Sequence, residues 1–422
     1  MQKKLKSLVK NREFYWTLIF QLTSLLGGVL LIKLLAVSLG KAEYGFYSII
    51  TSIVAFVLMP FTALLQGVGR YISIYQKKGQ EVSFFNSVLA LNFFCILFIT
   101  FLALIFNVFF PLSAAWSEKY FAVFVLAVTE IFKVMFRTVN NANRERKNIA
   151  VSVLLEFFIK IAFIYTLYIH YSINIIDVLL ALIFANTVSV IVMYSKNKSY
   201  ISVSNFSKKH FRVHVKRIWI FSFPLLIWGG FGWLRDMSNR WYLDYFLDKE
   251  QVALFAMMGS LALIAPFALQ GVIGAFCMPI IYQKENEKSG FTKDFLRLLL
   301  PVLMLVFFIS FIIVYFLKDF IVVLLADDKY ISISWMLPWM FLAYSLYVLS
   351  MISTYELFAH NQTSRLIISS VLPGIIAFVG GYFLIKNYGI DGALYNYMIT
   401  YISYALLTFY VVRDFWIKNE KN

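Results

Sequence analysis

An ionisable side chain inside a lipid-spanning segment is costly unless it is paired or wetted. This 422-residue sequence sets several such groups in the middle of long apolar runs. The densest set is Glu130, Lys133 and Arg137, continued by Asn141 and Arg144. Plotted at about 100° per residue, they fall within about 80° of one another and leave an apolar opposite face. A stripe of this kind either lines a wet cavity, where Lys133 and Arg137 meet an anionic ligand, or clamps helices together through Glu130. Glu156 and Lys160 stand at i and i+4, the favourable order for an intrahelical pair, so a structural bridge and a functional one are equally open. Asp236, Arg240 and Asp244 follow at successive spacings of four, so Arg240 can be neutralised from either side. Arg235 has no acid three or four positions away and is the better ligand for an anion. Lys33, five residues beyond Gly27-Gly28, also lacks a local partner; it faces a cavity or snorkels outward. Glu356 and His360, again at i and i+4, could pair or carry a proton.

With Lys33 and Arg235 counted as unpaired, the stripe as one net charge and the remaining pairs as neutral, the cavity carries about +3, which suits a pyrophosphate or an acidic sugar and not a cationic drug. No phosphate-binding GxxxxGK[ST] loop, HExxH, GxSxG or paired-cysteine metal spacing occurs, so no catalytic residue, cofactor or metal site is expected. ATP-driven pumping by this chain alone is not expected either; uphill work would need an ion gradient, H+ or Na+, or metabolic pull. The two cysteines, Cys95 and Cys277, both sit in apolar runs and read as small core residues.

The elements that position these groups follow from composition. Hydrophobic residues make up 61% of the chain, aromatics 19% and charged residues 14%, which excludes an ordinary soluble enzyme. Since a hydrocarbon core of about 30 Å takes about 20 apolar residues per helix, the runs at about 14–39, 45–68, 84–110, 119–141, 149–170, 177–195, 218–243, 251–279, 295–317, 332–359, 366–386 and 390–412 read as twelve spans. The first is too long for a cleaved signal and reads as retained. Net charge is +16, and position decides its meaning: 27 of the 38 lysines and arginines fall on the side of the amino terminus, 8 on the other and 3 within the membrane. That bias puts both termini in the cytoplasm and removes nucleic acid as a partner.

The predicted organisation is an amino-terminal lobe, 1–195, a basic cytoplasmic connector, 196–217, and a carboxy-terminal lobe, 218–422. Ile74-Tyr75-Gln76-Lys77 recurs as Ile281-Tyr282-Gln283-Lys284. Asn143, Lys147, Ile149, Ser152, Val153 and Leu154 match Asn361, Arg365, Ile367, Ser370, Val371 and Leu372 at one constant offset. Duplicated six-span halves would share an orientation and pair about an axis along the membrane normal, with a cavity between two bundles.

Several short patterns resemble the Wzx-type polysaccharide flippases of the MATE/lipid II flippase (MOP) superfamily. They are Gly27-Gly28, then Leu39-Gly40-Lys41-Ala42-Glu43-Tyr44-Gly45-Phe46-Tyr47, and Gly67-Val68-Gly69-Arg70-Tyr71. In the second half they are Phe223-Pro224-Leu225-Leu226, Gly229, Trp233, Asn239-Arg240 and the segment from Val252 to Phe255. The resemblance implies an all-α polytopic membrane protein of about twelve helices in two pseudo-symmetric six-helix lobes around a central cavity, working by alternating access. It further implies an undecaprenyl-pyrophosphate-linked oligosaccharide, an O-antigen or related repeat unit, moved from the cytoplasmic to the periplasmic leaflet of a bacterial inner membrane, in the company of other polysaccharide assembly proteins. Lys33, Lys133, Arg137, Arg235 and Arg240 are then the expected substrate contacts, and Glu130, Glu356 or His360 the expected coupling groups. Most of the aromatic residues read as interface belts, and Trp228 and Trp233, beside Arg235, are candidates to stack on sugar rings. Two other readings stay open: an ion-coupled drug or metabolite antiporter of the same fold, which should present unpaired acids, and a membrane glycosyltransferase or polymerase, which would need a large outward loop with a catalytic constellation.

Overall fold

The computed structural model describes residues 12–109, 114–195, 197, 207–287, 290–360 and 362–417. The basic tail before Arg12, most of the central connector and Asn361 of the internal repeat lie outside them. Every long apolar run becomes a helix: α1 Arg12–Ser38, α2 Lys41–Lys77, α3 Glu81–Phe109, α4 Ala114–Ala142, α5 Arg146–His170 and α6 Ile175–Ser195. α7 Lys208–Phe246, α8 Lys249–Glu287, α9 Phe291–Leu325, α10 Met336–Ser353, the short α11 Tyr355–Ala359 and α12 Leu366–Ile417 follow. Two 3-10 turns, Asp328–Ile333 and Thr363–Arg365, complete the order, and no strand occurs among the described residues.

Local chemistry sets the ends. Asn174 and Asp177 form a reciprocal cap on α6: Asn174 Oδ1 accepts from the amides of Ile176 at 2.8 Å and Asp177 at 3.2 Å, while Asp177 Oδ2 accepts from the Asn174 amide at 3.0 Å. Asp248 accepts the Gln251 amide at 2.8 Å and starts α8. The 52-residue α12 is too long for one crossing, and it breaks at Gly389, whose φ of 58° and ψ of −133° an L side chain would resist. Gly45, inside one of the family-like patterns, has a physical reason to be glycine: a Cβ there would come within 1.8 Å of the Lys249 carbonyl oxygen.

Ten of these helices are long and apolar enough to cross a membrane. The break in α12 adds one crossing to that number, and α4, whose charged stripe keeps it from meeting the same apolar criterion, is the remaining element at a predicted span. Large apolar side chains stand exposed along the helices, among them Phe158 at 70% and Leu298 and Phe316 at 76%. Water would not tolerate that density of exposed apolar surface, and a bilayer favours it. The chain is a polytopic all-α membrane protein.

The backbone groups into two compact units: residues 1–31 with 50–226, and residues 32–49 with 227–422. In the first, α4, α5 and α6 pack on one another, and Val68, Phe84, Phe85, Met135 and Val139 belong to one buried apolar cluster. Gln76 of the repeated Ile-Tyr-Gln-Lys pattern donates to Asn143 of the second repeated pattern at 2.6 Å. In the second unit α10 packs against α8, α9 and α12 and is the most enclosed of the spans.

Candidate functional site

The first unit carries its charges as a lattice across three helices. Lys133 of α4 spends all three ammonium protons: on Glu130 Oε1 at 2.7 Å, Glu156 Oε1 at 2.9 Å and Asn186 Oδ1 at 2.7 Å. Glu156 of α5 is the hub, since the same Oε1 also takes Lys160 Nζ at 2.6 Å and its Oε2 takes Arg137 Nη2 at 3.4 Å. Asn186 of α6 closes the ring by donating to Glu130 Oε1 at 2.9 Å. Lys133, Glu156, Lys160 and Asn186 are all buried. Burial in lipid is tolerable here because nearly every polar atom has a partner of opposite sign. Three cations face two carboxylates, so one positive charge is left over. It falls to Arg137, whose side chain is 34% exposed, whose single carboxylate contact is long and whose buried Nε has no hydrogen-bond partner.

The second unit holds a buried cation by other means. Arg235 of α7 is 4% exposed and donates from Nε to Asp236 Oδ1 at 2.7 Å and from Nη2 to Oδ2 at 3.0 Å. Its Cζ lies over the rings of Tyr347, Tyr404 and Tyr401 at 4.6, 4.8 and 5.5 Å. The Tyr401 hydroxyl donates to Asp236 Oδ1 at 2.7 Å, which fixes the carboxylate against the guanidinium. One turn further along α7, Asn396 of α12 donates to Asn239 Oδ1 at 2.6 Å and ties α7 to α12.

The other predicted residues are placed as follows. Arg240 donates to the Ser48 carbonyl at 3.4 Å, and Asp244 accepts Lys249 at 2.6 Å. Lys33 donates to the Val323 carbonyl at 2.8 Å in the last turn of α9, and Lys329 answers by donating to the Leu39 carbonyl at 2.6 Å just past α1. Each lysine thus caps the other helix, where orphan carbonyls and the helix dipole both favour a cation. His360 Nε2 lies 3.4 Å from Glu356 Oε1 and 3.6 Å from Glu285 Oε1. Glu285, in the last turn of α8 and past the predicted span 251–279, accepts the Gly290 amide at 2.8 Å and both the amide and the hydroxyl of Thr292 at 2.7 Å. Burial pushes its carboxyl up, but the bonds from Thr292 and Gly290, with His360 nearby, outweigh this and hold it below the usual carboxylate range.

Spacing rules therefore find residues that the structure pairs, and they misassign two partners. Asp236 serves Arg235 and not Arg240, because an arginine is long enough to fold back onto its immediate neighbour, a contact that i+3 and i+4 counting omits. Arg235 is consequently the most enclosed cation among the described residues of its unit, and Arg240 hydrogen-bonds a backbone carbonyl in place of a carboxylate. Asn186, Glu285 and the tyrosines do not stand out in the sequence. A signal exists for the last: Tyr397, Tyr401 and Tyr404 repeat at four and three, one face of a helix. Trp228, a candidate for stacking on a sugar, packs against the buried cluster of Leu357, Leu366, Val411 and Val412.

No family model matches this chain, and no curated protein matches its sequence. Solved structures do resemble it. An inward-facing multidrug resistance MATE family transporter of the MOP superfamily superposes with a TM-score of 0.71 at 12% identity, over 94% of this chain and 95% of that one. Lipid II flippase MurJ in an inward closed conformation gives 0.71 at 15% identity, over 95% and 87%. The Vibrio cholerae MATE transporter VcmN gives 0.68 at 12%, over 97% of each. At these identities the likeness concerns architecture, and this chain shares the fold of those transporters.

Proposed function

We propose that this chain is a flippase that carries an undecaprenyl-pyrophosphate-linked oligosaccharide, an O-antigen or related surface-polysaccharide repeat, from the cytoplasmic to the periplasmic leaflet of a bacterial inner membrane by alternating access. The observation that carries this reading is the sign of the unspent charge. Glu130, Glu156 and Asp236 are each held by a lysine or arginine, whereas Arg137 Nε and Arg235 Nη1 have no hydrogen-bond partner and Arg240 meets only a backbone carbonyl. Unspent guanidinium charge of this kind recognises phosphate or carboxylate oxygens and repels organic cations. The shared fold with a lipid II flippase is consistent with it. In this reading Arg137 and Arg240 contact the pyrophosphate or sugar acids, Lys133 and Arg235 hold the framework, and both termini are cytoplasmic. Two six-helix lobes, 1–195 and 218–422, joined by the 196–217 connector, are the moving bodies.

The protein reconstituted in vesicles with a fluorescent lipid-linked oligosaccharide tests this. Arg137→Ala and Arg240→Ala should each slow leaflet transfer by about tenfold, the scale of one lost charge-assisted bond, while the two lysine replacements retain most of it. Unchanged transfer in both alanine variants would overturn the assignment.

A second reading, an ion-coupled antiporter for drugs or metabolites, draws on Glu356. That side chain is buried, and its Oε2 has no hydrogen-bond partner. Proton-driven uptake of an organic cation by the same vesicles, abolished in Glu356→Gln, would favour it.

A further inference from the structure

A groove of about 380 Å³ runs between α9 and α12 in the second unit. Its apolar wall is made by Leu296, Leu300, Pro301 and Met304 of α9 and Phe409 of α12, and Arg297 and Arg413 complete the lining. Arg297 precedes Pro301 by about one turn toward the start of α9, and Arg413 follows Phe409 by about one turn toward the end of α12, so each arginine lies on the helix-end side of the apolar stretch. These are the ends that the lysine and arginine bias assigns to the cytoplasmic face. The surroundings face lipid: Leu298, Val302, Leu305 and Tyr410 are exposed, and the Arg413 guanidinium lies 3.8 Å above the Tyr410 ring, an aromatic placed as at a bilayer interface.

We propose that this groove is a binding site for a phospholipid with an anionic headgroup. The phosphate sits against Arg297 and Arg413, and one acyl chain lies along Leu300, Pro301, Met304 and Phe409. Two guanidiniums at headgroup depth above an apolar trough complement an anionic lipid at both of its ends, which neither a soluble anion nor a zwitterionic lipid matches. The site stands on different residues from those assigned to transport, and it does not depend on what the protein carries.

The test is lipid retention by the full-length protein, released from detergent and weighed by native mass spectrometry. The probes are phosphatidylglycerol, phosphatidylethanolamine, inorganic phosphate and a polyprenyl diphosphate. Phosphatidylglycerol should be retained about tenfold more than phosphatidylethanolamine. Arg297→Gln with Arg413→Gln should abolish that preference, and Met304→Trp, which fills the trough with both arginines in place, should lower retention of both phospholipids. These side chains are exposed, and elution as a single symmetric species confirms that each variant folds; Arg413→Gln alone serves if the double variant does not. Equal retention of the two phospholipids, or a preference untouched by losing the arginines, would overturn the proposal. So would displacement of phosphatidylglycerol by equimolar polyprenyl diphosphate, which would make the groove a carrier site, or by millimolar phosphate, which would make it a simple anion site.

Discussion

Two regions of this protein bury arginine or lysine at membrane depth and stabilise it in different ways. Around Glu156 the first unit uses carboxylates and an amide from α4, α5 and α6, so that charge meets charge and each carboxylate serves more than one donor. Around Arg235 the second unit uses one adjacent acid and the faces of three tyrosines from α10 and α12. A lattice concentrates dependence on its hub, because removing one carboxylate strands several cations. A ring cage spreads the dependence, because each aromatic face contributes only about 0.5–2 kcal/mol. The two regions should therefore fail differently.

The largest effect belongs to Glu156. Glu156→Leu leaves Lys133, Lys160 and Arg137 with Glu130 as their one remaining carboxylate, and breaking a buried pair by removing one member costs about 3–5 kcal/mol. Folded yield after detergent extraction should fall sharply, and combining it with Lys160→Met should recover part of the loss. No recovery in the double variant would mean that the lattice is not held by charge balance. Asp236→Asn should cost less, about 2–3 kcal/mol, since the cage still holds the guanidinium and an amide oxygen can accept one bond. Tyr401→Phe, which keeps the ring and loses only the hydroxyl bond to Asp236, should cost about 1 kcal/mol by thermal melting. If Asp236→Asn proved as damaging as Glu156→Leu, the cage would be decoration and the contrast would collapse.

That contrast also explains how far the amino-acid order by itself reaches. Helix placement is legible in it almost throughout, because the apolar runs are long and the breaks carry glycine, asparagine or aspartate, as at Gly389, Asn174 and Asp248. The lattice is legible in large part, since Glu130 with Lys133 and Glu156 with Lys160 are neighbours on a helix surface by spacing alone. The cage is not: its tyrosines lie more than a hundred residues from Arg235 in the chain, and 26 tyrosines in a membrane protein read first as interface residues. Asn186 is equally silent, a lone amide in the apolar run of α6 whose value comes entirely from what α4 brings to it.

Smaller effects sharpen the same comparison at the helix ends. Glu285 is a carboxylate held by neutral donors and not by a lattice of cations, so it should register as a pH effect. Its folded pKa lies below its unfolded one, so its stabilisation is present above the unfolded value of 4.5 and is lost as pH falls through the folded value. Thr292→Val should lower the melting temperature modestly near neutral pH, for a bond of about 1 kcal/mol, and the gap from the unaltered protein should close in acid. A gap that widened in acid would mean that the carboxyl donates in the folded state.

The smallest effect expected on stability, and the most informative about function, concerns Lys33 and Lys329. Each donates to a carbonyl at the end of the other's neighbouring helix, a contact that contributes about 0.5–1 kcal/mol and that water can partly replace. Because the two caps are equivalent in chemistry, Lys33→Met and Lys329→Met should shift melting by the same small amount. Leaflet transfer separates the roles. If Lys33 serves only as a cap, its variant transports like that of Lys329; if it also reaches the carried anion, transfer falls in Lys33→Met alone while the melting shifts stay matched.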